Sequence, residues 1–402
     1  MTTPAEPPGG DSASDTSDAP DAPDPAASAG SAAPRRFRWL RVVAACTALF
    51  VLALAGGVWY FYQRLDGNIT TDTVTENQLM IHASERPTEG PTKAENILLI
   101  GSDNRGDGNE KYGEDSGTQR SDTTILLHLS ADRSSATAVS IPRDLMAHVP
   151  DCTRPDGSTR PGRFEQFNWA FEGGGAACTI RTVEDMTGVR IDHHLIVDFS
   201  GFKKMVDAVD GVEVCVAEPV HDTKAHLDLP AGRQKLNGEQ ALGFVRARYS
   251  IGDGSDTQRM ERQQDFLASL ISKVRGNGVL LNPLKLYPLL QAATSALTAD
   301  PGLDSLSELY SLVNSLQKTP SDAIRFLTLP REQYTADRNR DQLLQPEADQ
   351  LFAALQADRA VNVTSGTPSP GTSSTGTPSA GATTGPTYPG TTVDRDICGK
   401  DR

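Results

Sequence analysis

Two periodicities alternate along the sequence. Short runs of consecutive apolar residues are typical of buried strands, and stretches with apolar residues three or four positions apart are typical of helices. Strands are predicted at residues 95–101, 124–129, 136–141, 194–199, 212–217 and 323–329. Helices are predicted at residues 164–171, 179–186, 202–209, 284–298, 303–316 and 346–357, and another begins near residue 256. This alternation predicts an α/β fold with helices packed on the faces of a sheet.

Residues 42–62 are 21 consecutive uncharged residues. As a helix they would be about 31 Å long, close to the roughly 30 Å of a bilayer core, so they are interpreted as a single transmembrane helix. Trp59, Tyr60 and Tyr62 fit an aromatic belt at its far end. The alternative is a cleaved signal peptide, against which the long preceding tail argues. Four arginines precede the segment and predict a cytoplasmic N-terminus and an extracellular remainder: Arg35, Arg36, Arg38 and Arg41.

Composition divides the rest of the chain. Residues 1–41 are predicted to be a disordered cytoplasmic tail, because large apolar residues are scarce at its start. Residues 63–92 are interpreted as an extracellular linker and residues 93–360 as one folded domain. Residues 361–402 are rich in Gly, Thr, Ser and Pro and are predicted to be a disordered extracellular tail.

The charge balance and the cysteines narrow the function classes. The chain has 38 Lys+Arg against 52 Asp+Glu, and its net charge of -14 argues against nucleic-acid binding. Cys46 lies in the predicted transmembrane helix, and the four later cysteines would face an oxidising compartment, where three pairings are open to them. We favour Cys152 with Cys178, as a loop staple, and Cys215 with Cys398, as a tether for the tail. The alternative for Cys215 is an unpaired, buried strand residue.

Charged residues gather at the ends of the predicted strands. Asp103 and Arg105 follow the first strand, Arg120 and Asp122 precede the second, and Arg143 follows the third. Ligands of open α/β sheets bind at the carboxyl ends of strands, so we expect these side chains to share one edge. The simpler alternative for Asp103 is a residue of an Asx-turn.

A second charged group lies in residues 237–264. Alternation from residue 245 to 250 predicts a strand that directs Arg246 and Arg248 to one face. Glycines end the strand, and a helix begins near Asp256, with Arg259 and Gln263 on one of its faces. Outward arginines before a helix N-terminus predict an anion site, although Asp256 could be only an N-cap.

Together these residue types favour a phosphate-rich ligand with a divalent metal. Guanidinium groups fork onto phosphate oxygens, and carboxylates hold Mg²⁺. A pyrophosphate would suit both.

The motifs, taken in order, resemble the LytR-CpsA-Psr family over roughly residues 93–275: NILLIGSDNR, RSDTTILL, SIPRD, the region around Asn168, HLIVDFSGFKKMVDAVDGVEV and EQALGFVRARYS followed by DTQRMERQQ. The resemblance implies a three-layer α/β/α sandwich with a central mixed sheet, here preceded by the single transmembrane helix. It also implies a membrane-anchored phosphotransferase. Such an enzyme moves a glycopolymer from a polyprenyl-pyrophosphate carrier to a muramic acid hydroxyl of peptidoglycan.

The resemblance also implies roles for individual residues. Asp122 and Asp256 match metal ligands for Mg²⁺ or Mn²⁺, and Asp103 matches an acid beside the phosphates. The residues that match the pyrophosphate-binding set are Arg120, Arg143, Arg246, Arg248, Arg259 and Gln263. The catalytic candidates are Asp103, Arg105, Arg120, Asp122 and Arg246.

This sequence departs from the family pattern at two places. Gln166 stands where the family usually has a lysine, which removes that lysine from the site. The loop 250–255 is one residue longer than in many members, so Asp253 competes with Asp256 as the metal ligand.

The partners implied are a polyprenyl-pyrophosphate-linked glycan, a peptidoglycan acceptor and the membrane, with no nucleic acid. Two other functions remain open. One is a pyrophosphatase that transfers to water, and the other is an envelope protein that binds polyprenyl phosphates without catalysis.

Overall fold

The computed structural model describes residues 35–103, 121–154, 156–247, 250–252, 254–276, 283–364, 386–396 and 398. The helices in these ranges are α1 (Arg35–Asp66), α2 (Thr73–Ile81), α3 (Asn168–Thr187), α4 (Phe199–Ala208), α5 (Gly238–Arg246), α6 (Asp256–Gly276), α7 (Pro283–Thr294), α8 (Leu306–Lys318) and α9 (Glu347–Gln356), with a short 3-10 helix at Ser321–Ala323.

The strands are β1 (Thr70–Thr71), β2 (Glu95–Ser102), β3 (Ser121–Leu129), β4 (Ala136–Ile141), β5 (Met146–Val149), β6 (Cys152–Thr153), β7 (Thr159–Arg160), β8 (Arg163–Gln166), β9 (His193–Asp198), β10 (Val212–Val216), β11 (Val220–Asp222), β12 (Leu227–Leu229), β13 (Gly232–Leu236), β14 (Leu297–Ala299), β15 (Ile324–Thr328), β16 (Arg331–Gln333), β17 (Asp341–Leu343), β18 (Asn362–Thr364) and β19 (Thr387–Thr392).

A mixed sheet forms the middle layer, with strand order β1-β14-β9-β2-β3-β4-β15-β19-β18. β2 and β9 are parallel, β4 and β15 are parallel, and β3 is antiparallel to both of its neighbours. Successive side chains of β2 enter opposite cores, Leu98 with α3 and α9 on one face, and Ile97 with α6 on the other. The expected three-layer α/β/α sandwich is confirmed.

A third core lies beside the sheet. It joins α4, α5 and the hairpins β10–β13 and β11–β12 around Val206, Leu236, Phe244 and Phe266 of α6. α6 therefore packs on two cores, and its first turn lies at the junction of the sheet and this smaller lobe.

The prediction of a strand through residues 245–250 is wrong for its described part. Asn237 accepts a hydrogen bond from Gln240 N at 2.9 Å, and Gln240 Oε1 accepts one from Asn237 N at 3.1 Å, so a capping box starts α5. Burial of Leu242 and Phe244 then carries this helix to Arg246. The helical spacing of the buried residues, and not the alternation of apolar and polar residues, therefore determines the structure here.

A second correction concerns residues 164–166, which were predicted to be helical. They belong to β8, which pairs antiparallel with β5, and α3 begins only at Asn168. The predicted break at the glycines is present as a kink inside α3, where Gly174 and Gly175 have non-helical dihedral angles. A Cβ at Gly174 would lie 2.8 Å from the Cβ atoms of Cys152 and Cys178, so the close approach of this disulfide requires glycine.

Both flanking segments contribute to the folded domain, contrary to the predicted linker and, for residues 361–364, 386–396 and 398, to the predicted disordered tail. The rest of that tail lies outside the described residues. In residues 63–92, β1 pairs with β14, and Leu79 of α2 is buried in a main core. After residue 360, β18 and β19 extend the sheet, and the Tyr388 hydroxyl donates to Glu347 O at 3.0 Å. The strands are short and rich in Thr, Gly and Pro, so composition concealed them.

Both favoured disulfides are present, Cys152–Cys178 and Cys215–Cys398, with Cα–Cα distances of 5.5 and 5.4 Å. The alternative of an unpaired Cys215 is therefore wrong. The second bond fixes the end of the chain to β10, although 183 residues separate its cysteines.

Among the described helices, α1 is long and apolar enough over Trp39–Asp66 to cross a membrane. The prediction of one N-terminal apolar helix is thus confirmed. Its C-terminal end differs from the predicted span, because Leu65 is buried in the folded domain and Asp66 accepts a hydrogen bond from Leu306 N at 2.8 Å.

Candidate active site

The described members of the charged set predicted at strand ends, Asp103, Asp122 and Arg143, meet along one edge of the sheet. Ser102, at the end of β2, lies opposite Ser121 of β3 and Asp198 of β9. β4 and β15 end at the same side, where Leu329 N donates to Ser140 O at 3.0 Å. We call this side, where β2, β4, β9 and β15 end and β3 begins, the carboxyl edge. The buried Asp103 follows β2 directly and lies there.

Arg143 joins three carboxylates at the carboxyl edge. Its Nη1 donates to Asp122 Oδ1 at 3.0 Å and its Nε donates to Asp144 Oδ2 at 3.3 Å, while Asp256 Oδ1 lies 4.0 Å from the same Nε. Burial opposes the charge of Arg143, but the three aspartates outweigh it and raise the pKa of the guanidinium above its ordinary value. Carboxylates far apart in the sequence thus converge on one guanidinium group.

Asp256 stands in the first turn of α6, as predicted. Ser255 Oγ accepts a hydrogen bond from Gln258 N at 3.3 Å, so Ser255 provides the side-chain oxygen at this helix start, and α6 includes Asp256. The interpretation of Asp256 as a mere N-cap is wrong. Its Oδ1 lies 2.5 Å from Arg259 Nη2, and the Arg259 side chain is buried. Asp256 is therefore directed at two guanidinium groups.

Arg246 lies at the neighbouring strand end. Its guanidinium is 4.7 Å from the ring centroid of Phe199, which immediately follows β9. A cation over an aromatic face is stabilised by the ring quadrupole and keeps its charge. Arg246 is the last residue of α5 and reaches the edge from a helix end rather than from the predicted strand.

Gln263 and Arg262 both bind backbone carbonyl groups near that helix end. Gln263 Nε2 donates to Val245 O at 3.2 Å. Arg262 donates to the carbonyls of Ala247 and Ile251. Both side chains therefore hold the backbone near Arg246 in place.

Four candidates lie outside the described residues: Arg105, Arg120, Arg248 and Asp253. Their roles stay predictions from the resemblance.

The sequence analysis missed an arginine–aspartate pair beside this site. Arg331 follows β15, donates from Nη2 to Thr257 Oγ1 at 2.6 Å, and pairs with Asp341 of β17. Asp341 N donates to Asp144 O at 3.2 Å. The pair therefore links the loop of Arg143 to the first turn of α6.

A sequence signal for this pair existed. β4 ends in SIPRD and its parallel neighbour β15 ends in TLPRE, so an apolar residue, a proline, an arginine and an acid follow both strands. Burial, together with nearby Asp256 and Asp144, raises the pKa of the Asp341 carboxyl although Arg331 opposes the shift. The missed residues thus share the electrostatics of the predicted ones.

Asp122 and Asp256 are the predicted magnesium ligands. Both direct an oxygen at Arg143, at 3.0 and 4.0 Å. Among the described residues, no group of three or more His, Cys, Asp or Glu side chains is arranged to hold a metal. Mg²⁺ is commonly held by one or two carboxylates, substrate phosphates and water. The magnesium role of this pair stays a prediction.

A cavity of about 480 Å³ opens in the smaller lobe, next to Arg262. Val214, Val216, Phe244 and Phe266 form apolar parts of its wall. Glu218, Arg262 and Asp265 also line it, so its lining is mixed.

The chain is an α/β/α domain with arginines and carboxylates at the ends of its strands. Comparison with known proteins specifies it further. The model of the LytR_cpsA_psr family matches residues 62–357, and the chain belongs to this family.

Two relatives and one solved structure are similar to this chain. The chain is 38% identical over 218 residues to a probable cell wall biosynthesis protein, LcpB, of Corynebacterium glutamicum, covering 52% of this chain and 49% of LcpB. It is 30% identical over 214 residues to TagU of Enterococcus faecalis, a polyisoprenyl-teichoic acid–peptidoglycan teichoic acid transferase, covering 53% of this chain and 63% of TagU. The chain thus spans about half to three fifths of these relatives. The LytR-Csp2A-Psr enzyme from Actinomyces oris has the same fold, with a TM-score of 0.53 at 24% identity, covering 67% of this chain and 93% of that one.

Proposed function

We propose that this chain is a membrane-anchored phosphotransferase that moves a glycopolymer from a polyprenyl-pyrophosphate carrier to a muramic acid hydroxyl of peptidoglycan. The observation that carries the proposal is the convergence of Asp122 and Asp256 on Arg143, with Arg259 beside them. Guanidinium groups and carboxylates so placed suit a pyrophosphate and its metal ion. The transferase name of TagU and the cell-wall name of LcpB support the same class of reaction.

The reaction follows from charge and position. Arg143 and Arg259 exchange part of their carboxylate contacts for pyrophosphate oxygens, while Arg246 approaches from the β9 side. The acceptor hydroxyl oxygen attacks the phosphorus that carries the glycan. The bond from that phosphorus to the bridging oxygen breaks, polyprenyl phosphate leaves, and the hydroxyl proton passes to a nearby carboxylate such as Asp103. Catalysis of this kind depends on positioning and on stabilising the charge of the transition state.

Asp122 and Asp256 would hold Mg²⁺ together with the phosphate oxygens. The ion would supply positive charge to the transferred phosphoryl group. Arg143, which contacts both carboxylates, would keep them oriented toward it.

The membrane supplies the donor in this proposal. α1 crosses the bilayer once, the arginine-rich N-terminal side remains in the cytoplasm, and the domain faces outward. The apolar wall of the cavity beside Arg262, with Val214, Val216 and Phe244, offers a surface for part of the prenyl chain. Net charge and topology both argue against a nucleic-acid partner.

One experiment tests the function. The full chain in lipid nanodiscs is incubated with Mg²⁺, a lipid-linked glycan and peptidoglycan fragments, and the products are identified by mass. The expected product is a glycan–phosphate–peptidoglycan conjugate that is lost on chelation. Free glycan phosphate, formed equally with and without acceptor, would instead establish a pyrophosphatase. Donor binding without turnover would establish a non-catalytic protein.

A further inference from the structure

An aromatic pair with one exposed and one partly buried ring lies next to the carboxyl edge. Phe164 of β8 is 54% exposed, and its ring centroid is 6.0 Å from that of Tyr334, with the ring planes at 55°. Tyr334 follows β16, and its N–H donates to Arg340 O at 2.9 Å, which fixes it in the hairpin β16–β17. Two inclined rings therefore form a surface in a loop-rich region.

Hydrogen bonds connect these rings to the site. Phe164 and Gln166 are two residues apart on β8 and share a face. Gln166 Nε2 donates to Asp144 Oδ1 at 2.6 Å, and Arg340 Nη1 lies 3.6 Å from the same oxygen. We call Phe164, Tyr334, Gln166, Asp144 and Arg340 the aromatic shelf. It leads from solvent to the carboxylate that contacts Arg143.

The chemistry of the shelf suits a sugar. A pyranose ring has an apolar face of C–H groups and a rim of hydroxyls, so it needs a flat apolar surface with hydrogen-bonding groups beside it. The exposed ring of Phe164 supplies the flat surface, and Tyr334, inclined to it at 55°, flanks it. The partly exposed carboxylate of Asp144 and guanidinium of Arg340 supply the polar contacts.

Charge favours the acceptor over the donor at this end. The shelf has one cation and one carboxylate, Arg340 and Asp144, which contact each other, and its other side chains are uncharged. It therefore has no surplus positive charge for a pyrophosphate and suits an uncharged sugar. The anionic donor belongs instead at Arg143 and Arg259, the guanidinium groups that the proposed function assigns to it.

We propose that the aromatic shelf binds a sugar of the peptidoglycan acceptor strand and guides its hydroxyl toward the carboxyl edge. The acceptor assignment rests on the proposed function, whereas the sugar-binding assignment does not. Phe164 and Tyr334 form the stacking surface, and Gln166 fixes Asp144 beside it.

The test uses the full chain in lipid nanodiscs and two readouts. Binding of an uncharged β-1,4-linked N-acetylglucosamine tetramer is measured by calorimetry, and transfer is measured against acceptor concentration at saturating donor. The variants are Phe164→Ala, Tyr334→Ala and the ring-preserving Phe164→Trp. The matched control is Tyr310→Ala, which removes an exposed aromatic residue from α8.

Loss of either ring should raise the tetramer Kd and the acceptor KM about tenfold, leaving kcat and the donor KM within about twofold. Phe164→Trp should restore both values, and Tyr310→Ala should change neither. If the wild type binds the tetramer and Phe164→Ala does not, but no variant transfers glycan, the sugar site stands and the proposed function fails. Unchanged tetramer binding in both alanine variants, absence of binding by the wild type, or a rise confined to the donor KM would overturn the proposal.

Discussion

The two edges of the central sheet use charged residues in opposite ways. At the edge opposite the candidate site, ion pairs are separate and local. His193 contacts Asp300 at 3.0 Å, His194 contacts Asp72 at 3.2 Å, and Asp300 also accepts a hydrogen bond from the His194 N–H at 2.9 Å. At the carboxyl edge, partners are shared, since Arg143 serves three aspartates and Asp144 contacts two arginines and Gln166.

This difference indicates different roles. A separate pair satisfies its own buried groups and stabilises the fold. Among the described residues, three carboxylates converge on Arg143, as expected where a ligand or metal completes the arrangement. Substitutions at the carboxyl edge should therefore impair activity more than stability, and those at the opposite edge the reverse.

The largest expected effect follows Arg143→Ala. Removing the shared cation should lower the rate of transfer about 10³-fold, because electrostatic stabilisation of the phosphoryl group is lost. Thermal unfolding should change little. Arg233→Ala is the matched control, since Arg233 also contacts two carboxylates but is exposed. Equal activity in the wild type and Arg143→Ala would remove this edge from catalysis.

Asp300→Ala should give the opposite result. The change leaves His193 and the His194 N–H without their acceptor, so unfolding in urea should require about 3 kcal/mol less free energy. Transfer per folded molecule should stay constant. Asp228→Ala is the control, because its pair with His221 is exposed. A selective loss of activity in Asp300→Ala would contradict the separation of roles.

Arg331→Lys tests whether a residue that positions the first turn of α6 at the carboxyl edge affects the rate of transfer. Lysine cannot contact Thr257 and Asp341 in the same fork geometry, so transfer should slow about tenfold. The rate is compared with that of Glu332→Gln, which alters an exposed neighbour on the same hairpin. Identical rates would show that Arg331 does not position the first turn of α6.

The smallest expected effect is a pH dependence at the opposite edge. Burial opposes ionisation of Asp72, but hydrogen bonds from His194 and Thr75 outweigh it and lower its pKa from 3.8 to about 2. A carboxyl whose pKa is lower in the folded state stabilises the fold above its unfolded pKa. That contribution is lost as pH falls through about 2.

This pH dependence is checked by unfolding the wild type and Asp72→Asn with urea in detergent. The free energy of unfolding of each is measured between about pH 2 and about pH 6. The stability difference between them should be full above about pH 4 and shrink toward pH 2. A difference that is constant over the whole range would contradict the assigned ionisation.

Sequence patterns predicted the sheet well because its strands are apolar and continuous, as 136–141 illustrates, where the predicted and observed bounds agree. They failed at Arg246, because the alternation over residues 245–250 is short enough to fit the end of a capped helix as well as a strand. They also failed at β19, whose pairing with β15 depends on contacts distant in sequence.

The site was predictable to the extent that its residues adjoin strands. Asp103, Asp122 and Arg143 follow from strand ends, because pairing in one sheet brings those ends together. Arg331 and Asp341 did not, since the hairpin β16–β17 is short and polar. Only the resemblance between SIPRD and TLPRE on parallel neighbours could have revealed Arg331.

The central claim is that the carboxyl edge binds a prenyl pyrophosphate through Arg143. The most direct measurement is the Kd of a short-chain prenyl pyrophosphate, with Mg²⁺, for the full chain, Arg143→Ala and Arg233→Ala. We expect Arg143→Ala to weaken binding about 100-fold, whereas Arg233→Ala leaves the Kd unchanged. Equal affinity in the wild type and Arg143→Ala would contradict the claim.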